Sequence, residues 1–353
     1  MRRNGTSAHQ SGSATVGMLI AGSVLAIIAA AIALVVVGQV FVTRRLEREI
    51  ERESALLREI EWVIEQLMSD PTPEADSSSD PVWAALGARA GEISLYDVSS
   101  AVNPNWIRPT FLDRSGLGEI LFVPGSSGAE LSQYRVDEGI SVRVEEWYAD
   151  FFENETIEEY LTGHGLFNIN VTHEAVLRDV YALRTGSESK AEIFLGRVQD
   201  ALRDRALWDD PSLRQLFGVD FDLVYPVINV APAFNAHFLH ADVLEAVVTF
   251  PYGGEAIPAA ETAAQVLLIE RQSGEIDPER LQTIFTVETD EQQRLFEYLG
   301  TNTWFWRVDV ELSQGTTPVA GSVIIMREPV PTPAIGETTD PPIFRVVEWT
   351  ITA

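Results

Sequence analysis

Histidine and acidic side chains are the residues in this sequence with spacings suited to chemistry. His237 and His240 form the string HFLH, and two histidines three apart on one helix face can bind a metal ion. No third or fourth ligand stands at a recognisable spacing, so packing or surface roles are the commoner fate of such a pair. His164 falls in a loop and His173 at a helix start, where the same applies more strongly. A nucleophile elbow, G-x-S-x-G, is missing: SGLG at 115–118 has no serine between its glycines, and GSSG at 125–128 reads as a turn. Phosphate loops and the dinucleotide fingerprint are also missing. The chain has no cysteine, which removes disulfides, zinc thiolates and thiol nucleophiles. With no convergent set of catalytic roles, an enzyme is not expected.

Acidic residues number 53 against 25 basic ones, for a formal charge of −28. Phosphate recognition needs the opposite field, so nucleic acid is not an expected partner. Calcium suits such a chain better than zinc because it takes oxygen ligands from acidic loops. Asp209 with Asp210, Asp220 with Asp222, and Glu288 with Asp290 and Glu291 are the clusters that could supply them. None has EF-hand spacing, and solvated acids account for such clusters more often than bound cations do. The metal ligands therefore stay unassigned.

These residues need elements to position them. Strand patterns occupy residues 92–98, 119–124 and 140–147, then return at 304–312, 319–328 and 344–351. Trp304 and Trp306 fall on one face of their strand and Phe305 on the other, as in a central strand covered on both sides. Between residues 155 and 281 apolar residues recur at three- and four-residue spacings, with Gly and Pro stops. This order implies an α+β fold in which an antiparallel-rich sheet domain, residues 82–154 and 282–353, is interrupted by an inserted all-helical domain, residues 155–281. Two stretches, 167–180 and 227–248, share an Asn among β-branched residues, a polar turn and a helix start. Thr172 is the expected cap of the first helix, and Asp242 sits in the first turn of the second.

Ahead of this lies a long helix, residues 13–70, followed by an acidic, Pro- and Ser-rich stretch at 71–81 with the composition of a solvated linker. Residues 4–43 contain no Asp, Glu, Lys or Arg. The twenty-seven residues from Val16 to Val42 are almost wholly apolar, a length of about 40 Å against a hydrocarbon core of roughly 30 Å. From Arg44 the helix becomes amphipathic, with Leu46, Ile50, Leu57, Ile60, Ile64 and Leu67 at helical spacings until Asp70 and Pro71. The apolar run is too long for a secretory signal peptide. Arg2 and Arg3 face Arg44, Arg45, Arg48 and Arg52 across it, so the positive-inside count alone leaves the orientation open.

Taken together, the leader with its apolar helix, the Asn-containing strings FNIN (167–170) and INVAP (228–232), and the closing strings TNTWFWRVDVEL, VIIMRE and FRVVEW resemble the minor pseudopilin K family of bacterial type II secretion systems. The resemblance spans nearly the whole chain. It implies a prepilin leader, residues 1–12, cut by a prepilin peptidase between Gly12 and Ser13, with Gly17 and Met18 as the second choice. Most pseudopilins carry Glu at the fifth mature position. Here that position is Gly17, or Gly22 under the second choice, and lack of this Glu distinguishes the K type. The string after Ala231 and Pro232 departs from the family pattern through an extra FNAHFLHAD.

The resemblance further implies a non-catalytic, single-pass protein of the bacterial inner membrane with its carboxy-terminal head in the periplasm. It would cap a short pseudopilus with the minor pseudopilins I and J; secreted cargo or an outer-membrane channel are further candidate partners, and the sequence does not choose between them. Some relatives bind calcium in the α+β domain. A generic membrane-anchored binding protein with an acidic head is the competing reading, and a tethered hydrolase would need a catalytic cluster that the sequence does not display.

Overall fold

The computed structural model describes residues 8–352 except 73, 90, 91, 115, 154–156, 158, 205, 250–256, 258, 275, 288, 313–318 and 332–341. Helix α1, Ala8–Met68, runs unbroken for 61 residues. It contains no proline, and it stops where Pro71 denies the chain another helical donor and restricts Asp70 before it. A window of this helix has a mean hydropathy of 2.8 and none of its residues is buried. Val24, Leu25, Ile28 and Ile32 are among its exposed apolar side chains, as expected of a surface made for lipid. Among the described residues this is the one helix long and apolar enough to cross a membrane.

The chain divides into two compact units, residues 1–58 and 59–353. In the second, the last turns of α1 bury Ile60, Val63 and Leu67. Arg89 pairs with Glu59 and lies 4.6 Å over the Trp62 ring.

A four-stranded antiparallel sheet in this unit has the order β1-β6-β7-β8. Its strands are β1 (Ile93–Asp97), β6 (Phe305–Leu312), β7 (Val319–Arg327) and β8 (Phe344–Thr352). On β6 the alternation is strict enough to bury Trp306, Val308, Val310 and Leu312 on one face. Trp306 meets the edges of Trp83 at 6.3 Å and Phe238 at 5.9 Å. The central position expected for this strand is the one observed. Trp304 lies just outside it, its indole donating to Pro232 O at 2.9 Å.

Neighbouring strands β1 and β6 are separated in sequence by residues 98–304, which are largely helical. Two small parallel pairs stitch this region: β2 (Phe167–Asn168) to β3 (Ile228–Asn229), and β4 (Phe234–Asn235) to β5 (Leu299–Gly300). One core gathers side chains from residues 169–228, including Phe194, Leu213 and Phe217. Another unites Phe111, Leu131 and Tyr148 with Leu244, Leu267 and Leu295.

Two expected strands are replaced by helix. Residues 119–121, half of the stretch 119–124, fall in the helix Leu117–Leu121, and residues 140–147 end in the helix Val144–Trp147. Short apolar runs read the same in a strand and in a buried helix, and here Leu117, Leu121 and Val144 all point into the core shared with residues 233–299.

The stretch at 71–81 is not a solvated linker along its whole length. Ala75, Asp76, Ser77 and Asp80 are buried, because their polar groups have partners inside the fold. The cap expected from Thr172 is supplied by His173, whose Nδ1 accepts from Ala175 N at 3.3 Å.

Candidate functional site at the junction after the long helix

Asp70, Asp76 and Asp80 bring one carboxylate oxygen each within 4.8 Å of one another. They lie between the end of α1 and the helix Pro81–Gly87, where Pro81 opens that helix at its first turn. Asp76 is 1% exposed. Arg327, at the end of β7, donates to it from Nη1 at 2.6 Å and from Nη2 at 2.7 Å, and Thr303 N adds a third bond at 2.6 Å. Asp80 accepts from Ser77 N at 2.9 Å and Ser77 Oγ at 3.0 Å. Asp70 accepts from Thr72 N at 2.9 Å. Burial pushes the Asp76 carboxyl up to about 6 against the opposing pull of Arg327, and pushes Asp80 up to about 6 as well.

The same junction continues inward. Asn235 Nδ2 donates to Asp76 O at 2.9 Å and to Thr303 Oγ1 at 3.0 Å. Thr303 Oγ1 in turn donates to Asp97 Oδ2 at 3.0 Å. Asp97 also accepts from the amide and hydroxyl of Ser99, both at 2.8 Å, and burial raises its pKa. One polar network thus joins the segment after α1, the end of β1, strand β4 and the residues leading into β6.

A second junction is built on Asn168. Its Nδ2 donates to Val230 O, Ala231 O and Glu297 O at 3.0–3.2 Å. Asn170 Nδ2 reaches Glu297 Oε2 at 2.8 Å. In each of the two strings that look alike in sequence, the Asn Oδ1 accepts from the backbone N two residues on: Asn168 from Asn170, Asn229 from Ala231, and Asn235 again from His237. Asn is suited to this because its short side chain mimics a backbone turn while its amide still donates.

The three aspartates match a hard cation in ligand type. They fit it poorly in availability, because calcium takes six to eight oxygens while Asp76 already gives both oxygens to Arg327. Elsewhere, Asp209 caps a helix through Ser212 N at 2.9 Å. Asp210 accepts from Tyr225 OH at 2.7 Å, and Asp220 pairs with Lys190 Nζ at 2.7 Å. Asp209–Asp210 and Asp220–Asp222 yield no third ligand among the described residues. Glu288 and the side chains of Asp290 and Glu291 lie outside the described residues.

His237 and His240 stand in a turn before the helix Ala241–Thr249, not on one helix face. His237 is buried and its Nε2 accepts from Ile276 N at 2.8 Å, so its proton sits on Nδ1. Burial lowers its pKa to about 4. His240 lies at the surface between Glu159 at 3.5 Å and Asp242 at 3.6 Å. Ser127, in the GSSG turn, caps the helix Gly128–Glu138 through Glu130 N at 3.3 Å. His164 Nε2 stands 3.2 Å from Glu348 on β8, at one wall of a groove of about 750 Å³ shared with Tyr96 and Arg307. Ser322, in the groove's lining, donates its hydroxyl to Asp309 Oδ1 at 2.7 Å.

Gly12, Ser13 and Gly17 lie on the helical backbone of α1, and their side-chain environment falls outside the described residues, as do residues 1–7 altogether. Met18 and Gly22 belong to the same helix, Met18 with its side chain exposed. Sequence reasoning missed Asp76, Arg327 and Glu297. The only signal for Asp76 was an acid in a Pro- and Ser-rich string, which reads identically in a linker.

No protein-family model matches the chain, and no curated protein matches it. A solved structure similar to it is the GspK-GspI-GspJ complex from the type 2 secretion system of enterotoxigenic Escherichia coli. The match has 11% identity and a TM-score of 0.37, and covers 88% of this chain and 99% of that one.

Proposed function

We propose that this chain is a minor pseudopilin of the K type: a non-catalytic subunit, anchored by α1 in the bacterial inner membrane, that caps the tip of a periplasmic type II secretion pseudopilus together with the minor pseudopilins I and J. The observation that carries this reading is the order of its parts. A 61-residue helix, apolar in its first half and amphipathic in its second, leads into a sheet whose adjacent strands β1 and β6 are parted by the helical region 98–304.

Such a helix serves two states. Before assembly its apolar half satisfies every backbone group internally and can sit in lipid. After assembly the same surface packs against the helices of neighbouring subunits. The 295-residue second unit gives the subunit its bulk, which would keep further subunits from adding above it. Cleavage between Gly12 and Ser13 by a prepilin peptidase would put Arg2 and Arg3 in the cytoplasm and the carboxy-terminal unit in the periplasm. That settles within the proposal what the arginine count leaves open. Secreted cargo and the outer-membrane channel are the contacts left for the exposed head.

Since the chain has no cysteine, single cysteines at Val24, Ile28 or Ile32 on the exposed face of α1 report its neighbours cleanly. Oxidation in cells assembling a pseudopilus, with matching cysteines in the other minor pseudopilins, is expected to give disulfide-linked heterodimers. Monomer alone at all three positions favours a solitary anchored binding protein and overturns the proposal.

A further inference from the structure

We infer that the cavity between the helix Gly128–Glu138 and the amino end of the helix Glu174–Thr185 binds a free tetrahedral oxyanion of the phosphate or sulfate type, held by the guanidinium of Arg135 and the ring of His173. Arg135 is 4% exposed. Its Nη1 donates to Pro104 O at 3.1 Å, Asn105 O at 3.2 Å and Ile107 O at 2.8 Å. Its Nη2 finds no acceptor among the described residues, and no carboxylate pairs with it there. Burial lowers its pKa only to about 10, so a positive charge stands inside the protein with an unused donor. A buried group of this kind calls for a partner.

Arg135 and His173 both line a cavity of about 60 Å³, room for about four waters, which the five heavy atoms of an oxyanion fill better than a single halide. His173 Nδ1 accepts from Ala175 N, so the neutral ring carries its proton on Nε2 and is a donor. The helix that starts there has 12 residues, and its first turn adds the positive end of its dipole. Two acids stand close by: Asp179, which also lines the cavity, accepts from Arg178 Nη1 at 2.8 Å, and Glu174 lies 4.0 Å from Arg108 with its buried Oε2 making no hydrogen bond among the described residues.

The test is thermal unfolding of the full chain in detergent micelles, titrated with sodium phosphate, sodium sulfate or sodium chloride at matched ionic strength. Phosphate or sulfate is expected to raise Tm saturably beyond chloride. Ser132→Glu, which places a carboxylate at a partly exposed cavity wall, is expected to abolish that difference. His173→Gln is expected to weaken the oxyanion's apparent affinity about tenfold, and it decides the matter if the Ser132 variant does not fold. Equal shifts with all three salts, or an oxyanion effect unchanged in the variants, overturns the inference.

Discussion

Arg327 Nη1 and Nη2 grip Asp76 Oδ2 and Oδ1 at 2.6 and 2.7 Å, joining the segment just past α1 to the last residue of β7 across 251 positions of sequence. Both side chains are almost wholly buried. Removing one partner strands a charge, so Asp76→Ala or Arg327→Met is expected to cost about 3–5 kcal/mol. Replacing both by apolar residues should cost less than either alone. Urea unfolding of the four forms measures this; single variants within about 0.5 kcal/mol of the parent would show that the pair carries no such weight.

The Asn235 amide should matter for a related reason. It bridges Asp76 O and Thr303 Oγ1, while its Oδ1 holds the turn at His237. Truncation to Ala leaves these buried groups without their partner, at about 1–3 kcal/mol for each left unsatisfied. Limited proteolysis is expected to find new cleavage near residues 230–240 in Asn235→Ala. An unchanged digestion pattern and urea midpoint would contradict the role of this residue as a staple.

His237 sets one direction of pH dependence. Its folded pKa, about 4, lies below the ordinary value of 6.5, so the unfolded chain binds the proton more readily. Its contribution to stability is present above 6.5 and is lost as pH falls toward 4. Asp76 and Asp80, raised to about 6, act oppositely: their contribution is present below the unfolded carboxylate value of 3.8 and is lost as pH rises through 6. In NMR titration the His237 ring is expected to stay neutral to below pH 5. A midpoint near 6.5 would contradict its burial against Ile276.

Much of this was legible in the sequence because its signals are local. The apolar run, the Pro71 stop and the alternation along β6 each act within a few residues, and each appears where expected. The helices at 117–121 and 144–147 were not legible, because their apolar residues join a core that also draws on residues 233–299, far away in sequence. The Asp76–Arg327 junction was hidden for the same reason: nothing in DPTPEADSSSD marks which acid will find an arginine. The HFLH pair shares no helix face because i,i+3 spacing means a shared face only inside a helix, and here the helix begins one residue later.

The central claim is that α1 begins as a processed, filament-forming helix. Mass spectrometry of the intact protein from cells containing a prepilin peptidase tests it directly. The proposal expects a chain starting at N-methylated Ser13, whose fifth residue is Gly17 rather than Glu. A chain that retains Met1 and its full leader in those cells would contradict it.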